Sequence, residues 1–110
     1  MSHPLTGIAK RPHLQKWLDL TKAIPPAQGL YCVWAGNVLL YIGQSKRLKY
    51  RLKDHTRKSE FVGMGADAIT FTIVETERSR WERTAMEKWL IRKYKPPLNK
   101  PHWTQAKEDV

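Results

Sequence analysis

The lysine and arginine residues of this chain are concentrated in two segments that also carry aromatic rings. Residues 43–60 hold seven bases and two acids, and residues 78–100 hold eight bases and two acids, so these segments contain fifteen of the twenty bases. Tyr50, Trp81, Trp89 and Tyr94 lie among them. Positive groups next to rings are typical of surfaces that bind the phosphates of nucleic acid. A membrane surface, an acidic protein partner or a merely solvated face is the weaker interpretation.

Within the first segment, Arg51 and His55 are spaced to share one face of a helix, because four residues make about one turn. A guanidinium binds phosphate through paired hydrogen bonds, and an imidazole titrates close to neutral pH. On spacing alone, Arg51 also fits a solvated base and His55 fits a surface histidine. A role for Arg51 and His55 in phosphate chemistry is therefore inferred only if other residues of the sequence support it.

Two carboxylates, Glu82 and Glu87, fall in the second basic segment. The stretch from Ser79 to Glu82 fits a capping box, in which Glu82 turns back to the start of a helix. Glu87 is spaced to form an ion pair with Arg83, four residues before it. A structural role explains Glu82 well, whereas for Glu87 an ion pair and a role in chemistry both stay open.

The elements that must position these residues follow from hydrophobic periodicity and from chain breakers. The pattern predicts a helix within residues 11–23 and a hairpin over 29–42, and then a helix over 46–56 capped by Ser45. It further predicts a loop over 60–67, a half-buried strand over 68–74, and a helix over 80–94 that Pro96 and Pro97 stop. We expect an α/β domain of the α+β type, with a small, mainly antiparallel three-stranded sheet flanked by helices. Residues 1–28 would be a leader with one helix, and residues 29–99 the core. Residues 100–110 would be a loose tail, of which Trp103 can dock on the rest of the domain.

The register of the hairpin decides where its two tyrosines point. A three-residue loop over 35–37 pairs Tyr31 with Tyr41, and Asn37 tolerates the left-handed conformation that ends such a loop. We prefer this register to a two-residue loop, because it gives one wholly apolar face and places both phenols on the other. Two tyrosines that merely pack across strands are the alternative. The apolar face would hold Leu30, Cys32, Trp34, Val38, Leu40 and Ile42, and the other face Tyr31, Val33, Leu39 and Tyr41.

Other residues and other protein classes are set aside. A single cysteine, Cys32, excludes an intramolecular disulfide and a multi-cysteine zinc site. No run of about 18 apolar residues and no apolar signal segment is present, so we expect a cytoplasmic protein with no membrane partner. Trp81, Ala85 and Trp89, at four-residue spacing, are interpreted as facing the core, with a groove as the alternative. His3, His13 and His102 are interpreted as uninvolved in chemistry.

Several stretches at particular spacings resemble the GIY-YIG family of nucleases. Gly29-Leu30-Tyr31 and, ten residues on, Tyr41-Ile42-Gly43 are similar to the two half-motifs of that family. The run YIGQSKRLKYRLKDH resembles the passage from the second half-motif into a basic helix, and EKWLIRKYKPPLN resembles the glutamate-bearing helix, proline stop and closing asparagine. The resemblance covers residues 29–99. It matches six residues to the site positions of the family: Tyr31, Tyr41, Arg51, His55, Glu87 and Asn99.

The resemblance implies a metal-dependent DNA endonuclease that hydrolyses phosphodiester bonds with one divalent ion, Mg²⁺ or Mn²⁺, held by Glu87. Tyr31 is then the candidate general base, and neighbouring positive charge would have to lower its pKa. Tyr41 would orient water or phosphate, Arg51 would clamp the scissile phosphate, and His55 would bind phosphate or move a proton.

The remaining positions would support the site or extend the contact with nucleic acid. Asn99 would tie the C-terminal loop to the site, and Gly43 would let a bound strand approach the backbone. Gln44 stands where some family members have Lys, a loss of charge that would either lower turnover or be compensated by Lys46. DNA is the expected partner and RNA stays open. The expected contact residues are Gly43, Gln44, Lys46, Arg47, Lys53, Arg57, Lys58, Lys88 and Arg92.

Two other functions remain as alternatives to a nuclease. One is a non-catalytic DNA- or RNA-binding module that kept the fold and lost turnover. The other is an adaptor whose basic helices dock an acidic protein. Because members of the family usually attach separate DNA-binding domains, we expect sequence specificity to require a homodimer or a separate targeting partner.

Overall fold

A computed structural model of the chain describes residues 15–74 and 79–103. Helix α1 occupies residues 15–21. It is followed by strands β1 (Gly29–Ala35) and β2 (Val38–Ser45), helices α2 (Leu48–Lys53) and α3 (Lys58–Gly63), strand β3 (Ala68–Ile73), helix α4 (Ser79–Tyr94) and a 3₁₀ helix (Pro97–His102). The sheet is antiparallel with the order β2-β1-β3, which confirms the predicted α+β class. In the described ranges, no helix is both long enough and apolar enough to cross a membrane.

The hairpin of β1 and β2 has a two-residue turn, so the three-residue loop expected from the sequence is wrong. Next to the turn, Trp34 of β1 pairs with Leu39 of β2. Gly36, with a φ of 59°, supplies the left-handed residue that a tight turn needs. Farther from the turn, Tyr31 pairs with Gly43 and not with Tyr41.

A β-bulge in β2 restores the shared face of the two tyrosines. Trp34 pairs with Leu39 but Val33 pairs with Tyr41, so Leu40 is the extra residue, and the side-chain alternation of β2 shifts by one position there. Tyr31 and Tyr41 therefore lie on one face, with ring centroids 6.1 Å apart. They are offset along the strands and do not face each other as a cross-strand pair.

The sheet face that carries the tyrosines packs into the main hydrophobic core. The sequence instead predicted that this face would be the more polar of the two. Helices α1, α2 and α3 cover this face with apolar side chains, and Trp17 of α1 donates its indole N–H to the Leu52 carbonyl at 2.9 Å. The bulge residue Leu40 also joins this cluster, although the predicted register put it on the opposite face. The cluster comprises Trp17, Ile24, Tyr31, Val33, Leu40, Leu48, Leu52, Phe61 and Ala66.

Helix α4 packs on β1 and β2 and ends where it was predicted to end. Lys95 takes a positive φ of 47° and Pro96 follows, so the chain leaves the helix at that point. The next residues form the 3₁₀ helix, and Trp103 docks as expected by donating its indole N–H to the Pro96 carbonyl at 2.9 Å.

Four local predictions differ from the structure. Helix α3 spans residues 58–63 and so replaces the first four residues of the loop predicted over 60–67, and α2 is shorter than its predicted span of 46–56. Strand β3 is mostly exposed, with Phe71 39% and Ile73 45% exposed, because it is an edge strand. Trp81 and Trp89 are 78% and 54% exposed, so they do not face the core. The side chain of Ser79, on which the predicted capping box depends, the histidines at positions 3 and 13, and the tail beyond 103 lie outside what the structure describes.

Candidate active site

The predicted site residues gather at the free edge of β2, where the core face of the sheet meets α4 and the 3₁₀ helix. A cleft of about 210 Å³ lies there. It contains the single carboxylate of the resemblance, Glu87, next to the phenol of Tyr41. The lining residues are Tyr41, Glu87, Lys88, Ile91, Arg92, Asn99 and His102.

Tyr31 and His55 form a buried pair behind this cleft. Each is 1% exposed, and the Tyr31 hydroxyl lies 2.8 Å from His55 Nε2. The backbone N–H of Arg57 donates to His55 Nδ1 at 3.0 Å, so Nδ1 carries a lone pair. Burial and the charges of Arg51 and Arg57 lower the pKa of His55 to about 4, which leaves the ring neutral at pH 7. A neutral ring with a free lone pair on Nδ1 must carry its proton on Nε2, and His55 therefore donates to the Tyr31 oxygen.

The pKa of Tyr31 moves in the direction opposite to the one expected from the sequence. Burial raises it most and Tyr41 raises it further, whereas the nearby charge of Arg51 lowers it. The expectation was wrong in weighing only the positive charge, because the cost of removing a phenolate from water exceeds the attraction of one partly solvated guanidinium. Arg51 itself is exposed on α2, but it is close enough for its charge to act on both Tyr31 and His55.

Gly43 is required by the close approach of Tyr31, a reason that the sequence did not show. The two residues pair across the strands, and a Cβ built on Gly43 would lie 2.4 Å from both Cζ and the hydroxyl oxygen of Tyr31. The phenol thus occupies the space that a side chain at position 43 would fill. Gly43 is also buried, which removes it from the expected contact surface.

We expect Gly43→Ala to displace the Tyr31 ring and to lower the free energy of unfolding by about 1–3 kcal/mol, the usual cost of overpacking a core. Thermal and denaturant unfolding measure the change. Gly63→Ala is the matched control, because no heavy atom lies within 4 Å of a Cβ there and the residue is helical. A Gly43→Ala variant as stable as the Gly63→Ala variant would contradict the close approach of Tyr31.

Glu87 is a partly desolvated carboxylate held near an amide. Burial raises its pKa, and the charge of His102, a hydrogen bond from Gln44 and the charge of Lys88 act in the opposite direction. A carboxylate on the wall of a cleft, with few protein donors to neutralise it, is a suitable ligand for a hard cation. The alternative ion pair with Arg83 is not formed, since Arg83 is 3% exposed and donates to Gln44 and Gln28.

The donor set fits one hard divalent ion whose other ligands come from outside the protein. Across residues 15–74 and 79–103, no three His, Cys, Asp or Glu side chains gather closely enough to hold a metal by themselves. Mg²⁺ is commonly bound through one or two carboxylates together with phosphate oxygens and waters. Glu87 therefore fits a site of that kind, and a zinc-like cage of protein ligands does not.

Asn99 ties the 3₁₀ helix to the edge of β2, as predicted. It is 2% exposed, its Oδ1 accepts from the Ile42 N–H at 2.7 Å, and its Nδ2 donates to the Ile42 carbonyl at 3.0 Å. The side chain completes both free hydrogen-bonding groups of an edge residue beside the cleft. We interpret Asn99 as a positioning residue.

The residues predicted to contact nucleic acid divide into two groups. Gln44 and Arg57 are engaged within the protein: Gln44 bonds to Thr84 and Arg83, and Arg57 bonds to Glu60 and to the Leu98 carbonyl. The Arg57 guanidinium also lies over the Tyr41 ring, 5.2 Å from its centroid. The other side chains remain at least partly exposed: Lys46, Arg47, Lys53, Lys58, Lys88 and Arg92.

Sequence reasoning missed two residues of the site. His102 was set aside, yet it lines the cleft and its charge lowers the pKa of Glu87. Arg83 was considered only as an ion-pair partner, yet it is the buried link between β2 and α4 through Gln44. A histidine three residues after the matched Asn99 was the available signal for the first, and no sequence signal pointed to the second.

Comparison with known proteins places this arrangement in a family. No protein-family model matches the chain. UvrABC system protein C of Aquifex aeolicus is 31% identical over 90 residues, covering 76% of this chain and 15% of that protein. The protein of the same name from Thermotoga maritima is 35% identical over 79 residues, covering 68% of this chain and 14% of that protein. The chain thus spans about one-seventh of the length of these curated relatives.

A solved structure covers the same region of the chain. The crystal structure of the GIY-YIG N-terminal endonuclease domain of UvrC from Thermotoga maritima, bound to its catalytic divalent cation, magnesium, has a TM-score of 0.61 and 32% identity. The match covers 76% of this chain and 96% of that domain. Sequence, fold and the placement of the motif residues agree, and the chain belongs to the GIY-YIG endonuclease family.

Proposed function

We propose that this chain is a metal-dependent DNA endonuclease that hydrolyses phosphodiester bonds at the cleft containing Glu87. The observation that carries the proposal is the Tyr31–His55 pair directly behind a cleft with one desolvated carboxylate. The magnesium bound by the related UvrC domain supports Mg²⁺, or its analogue Mn²⁺, as the cofactor here. When bound at Glu87, the ion would supply positive charge to phosphate oxygens that become more negative in the transition state.

The side chains of this protein would divide the remaining work of hydrolysis. Arg51 is exposed on α2 and clamps the scissile phosphate through its guanidinium. A water attacks phosphorus, its proton passes to the oxygen of Tyr31, and the leaving oxygen takes a proton from solvent. Burial opposes the ionised form of Tyr31 that this step needs, and the charge of Arg51 favours it. The N–H of His55 donates to the same Tyr31 oxygen and stabilises its anionic form. Tyr41, on the cleft wall, orients the water or the phosphate.

His55 is a weaker candidate for the base than Tyr31. Its Nδ1 accepts the Arg57 backbone N–H, and its Nε2 carries the proton that Tyr31 accepts. Neither nitrogen has a free lone pair that faces the cleft. We therefore propose that His55 acts as a positioning residue for Tyr31 rather than as a direct phosphate ligand.

We expect the affinity for duplex DNA to fall steeply with salt. If the exposed bases near the cleft neutralise about five or six phosphates, a plot of log affinity against log salt has a slope of about −5. Fluorescence anisotropy with a labelled duplex in EDTA measures the slope in the absence of turnover. A slope near zero would show that phosphate contacts do not dominate the interface.

A plasmid-nicking assay distinguishes the proposal from its two rivals. Conversion of supercoiled to open-circular DNA in Mg²⁺, and none in EDTA, is expected of the endonuclease. DNA binding without nicking would favour the non-catalytic module. Neither binding nor nicking, with binding to acidic proteins instead, would favour the adaptor. A panel of duplex, single-stranded, branched and flap substrates then identifies the preferred DNA structure.

A further inference from the structure

The outward face of α4 carries two large rings that the fold does not bury. Trp81 is 78% exposed and Trp89 is 54% exposed, and Ala85 lies between them at the same four-residue spacing. Residues four apart on a helix form one stripe, and we call these three residues the tryptophan stripe. An exposed stripe of this size on a small domain is unusual unless it binds something.

The tryptophan stripe is joined to the cleft by two bases. Lys88 and Arg92 line the cleft on one side. They also line a shallow groove of about 650 Å³ on the other side, whose remaining residues include Trp81 and Ala85. The helical positions agree with this, since Lys88 falls between Trp81 and the inward-facing Glu87, and Arg92 falls beside Trp81. A strand that leaves the cleft along α4 therefore passes these two cations before it reaches the rings.

We propose that the tryptophan stripe stacks unpaired nucleobases of the substrate strand next to the cleavage site. This inference rests on the proposed function, because it assumes that a nucleic-acid strand occupies the cleft. Cations that follow a backbone, with rings beside them that receive the bases, form the usual surface for single-stranded nucleic acid. Bases in an intact duplex already stack on each other, so the stripe favours substrates that have unpaired nucleotides at this position.

The charges around the tryptophan stripe argue against a second copy of this chain as its occupant. Arg80, Lys88 and Arg92 border the groove. In a symmetric dimer the same patch meets itself, so these cations would face one another across the interface. A polyanion fits the same surface without that repulsion. The rise of 1.5 Å per residue places Trp81 and Trp89 roughly 12 Å apart along the helix, which leaves room for more than one base between them.

Fluorescence anisotropy in EDTA tests the proposal with the full chain and without turnover. The probes are a labelled oligothymidylate and a blunt duplex of equal length. We expect Trp81→Ala to weaken oligothymidylate binding about 10-fold or more, and binding of the blunt duplex by less than about twofold. Trp81→Phe should retain most of the affinity, because a ring remains. Met86→Ala, which removes an exposed side chain from α4 without removing a ring, should change neither affinity.

Equal losses on both probes, or no loss on either, would overturn the proposal. A wild-type chain that sediments as a dimer, and a Trp81→Ala variant that sediments as a monomer, would also overturn it and assign the stripe to a second copy. The plasmid-nicking assay separates the two proposals. A selective loss of oligothymidylate binding, with no Mg²⁺-dependent cleavage by the wild type of plasmid or of single-stranded and flap substrates, would support base stacking on the stripe and refute the nuclease. Nicking by the wild type without the selective loss would do the reverse.

Discussion

Replacement of Glu87 by Gln is expected to abolish cleavage while leaving DNA binding intact. The carboxylate is the one ligand that the motif residues offer to a hard cation, and an amide is a much poorer ligand for it. Loss of about 4 kcal/mol of transition-state stabilisation corresponds to a loss of about 10³-fold in rate. Removal of a negative charge from the cleft should not weaken phosphate contacts, so Kd for duplex DNA should stay the same or fall.

Glu82→Gln is the matched control for this prediction. Glu82 lies on the same helix, is exposed, and does not line the cleft. We expect the control to nick plasmid at the wild-type rate and to lose about 1 kcal/mol of stability or less. Mg²⁺-dependent nicking by Glu87→Gln at a rate near that of Glu82→Gln would refute the assignment of Glu87 as the metal ligand.

Replacement of Tyr31 by Phe should have the second-largest effect. Removal of a general base usually costs 10²- to 10⁴-fold in rate, and we expect single-turnover cleavage to slow by at least about 10²-fold. The same change leaves the buried Nε2–H of His55 without its acceptor. The variant should therefore also lose about 1–3 kcal/mol of stability, and cleavage must be measured well below its Tm.

Two variants separate the lost hydroxyl from general damage to the site. Tyr41→Phe, which keeps the ring on the cleft wall, should slow cleavage less than Tyr31→Phe if its role is to orient. Tyr50→Phe removes the hydroxyl of an exposed tyrosine on α2 and should behave as wild type. If Tyr31→Phe cleaved at nearly the normal rate, the assignment of Tyr31 as the general base would be wrong. His55 would then become the candidate base, and one of its ring nitrogens would have to give up its present hydrogen bond.

The sequence predicted most of the helices and strands because their patterns are local. The span of α4 followed from the proline pair after Tyr94, and the hairpin followed from two apolar runs around Gly36. The bulge at Leu40 was not predictable, because no glycine or polar residue marks it. The six-residue helix α3 was missed because Gly63, its last residue, and Gly65 ordinarily indicate a loop.

The site was predictable in membership and less so in roles. Motif spacing selected Tyr31, His55, Glu87 and Asn99, which the fold brings to one region, but the roles proposed for them depend on burial and on partners that are distant in sequence. The direction of the pKa of Tyr31 depends on burial under three helices, which charge counting does not show. The tautomer of His55 depends on one backbone N–H. Trp81 is exposed because another face of α4 packs against the sheet. The spacing of aromatic residues alone does not show which face of a helix is buried.

In the proposed mechanism, Glu87 holds the divalent ion on which cleavage depends. The most direct test is the initial rate of plasmid nicking as a function of Mg²⁺ concentration, for the wild type and for Glu87→Gln at equal DNA occupancy. We expect no nicking in EDTA, a wild-type rate that saturates with Mg²⁺, and a variant rate that stays at background at every concentration. Wild-type nicking in EDTA, or a variant rate that reaches the wild-type plateau, would contradict it.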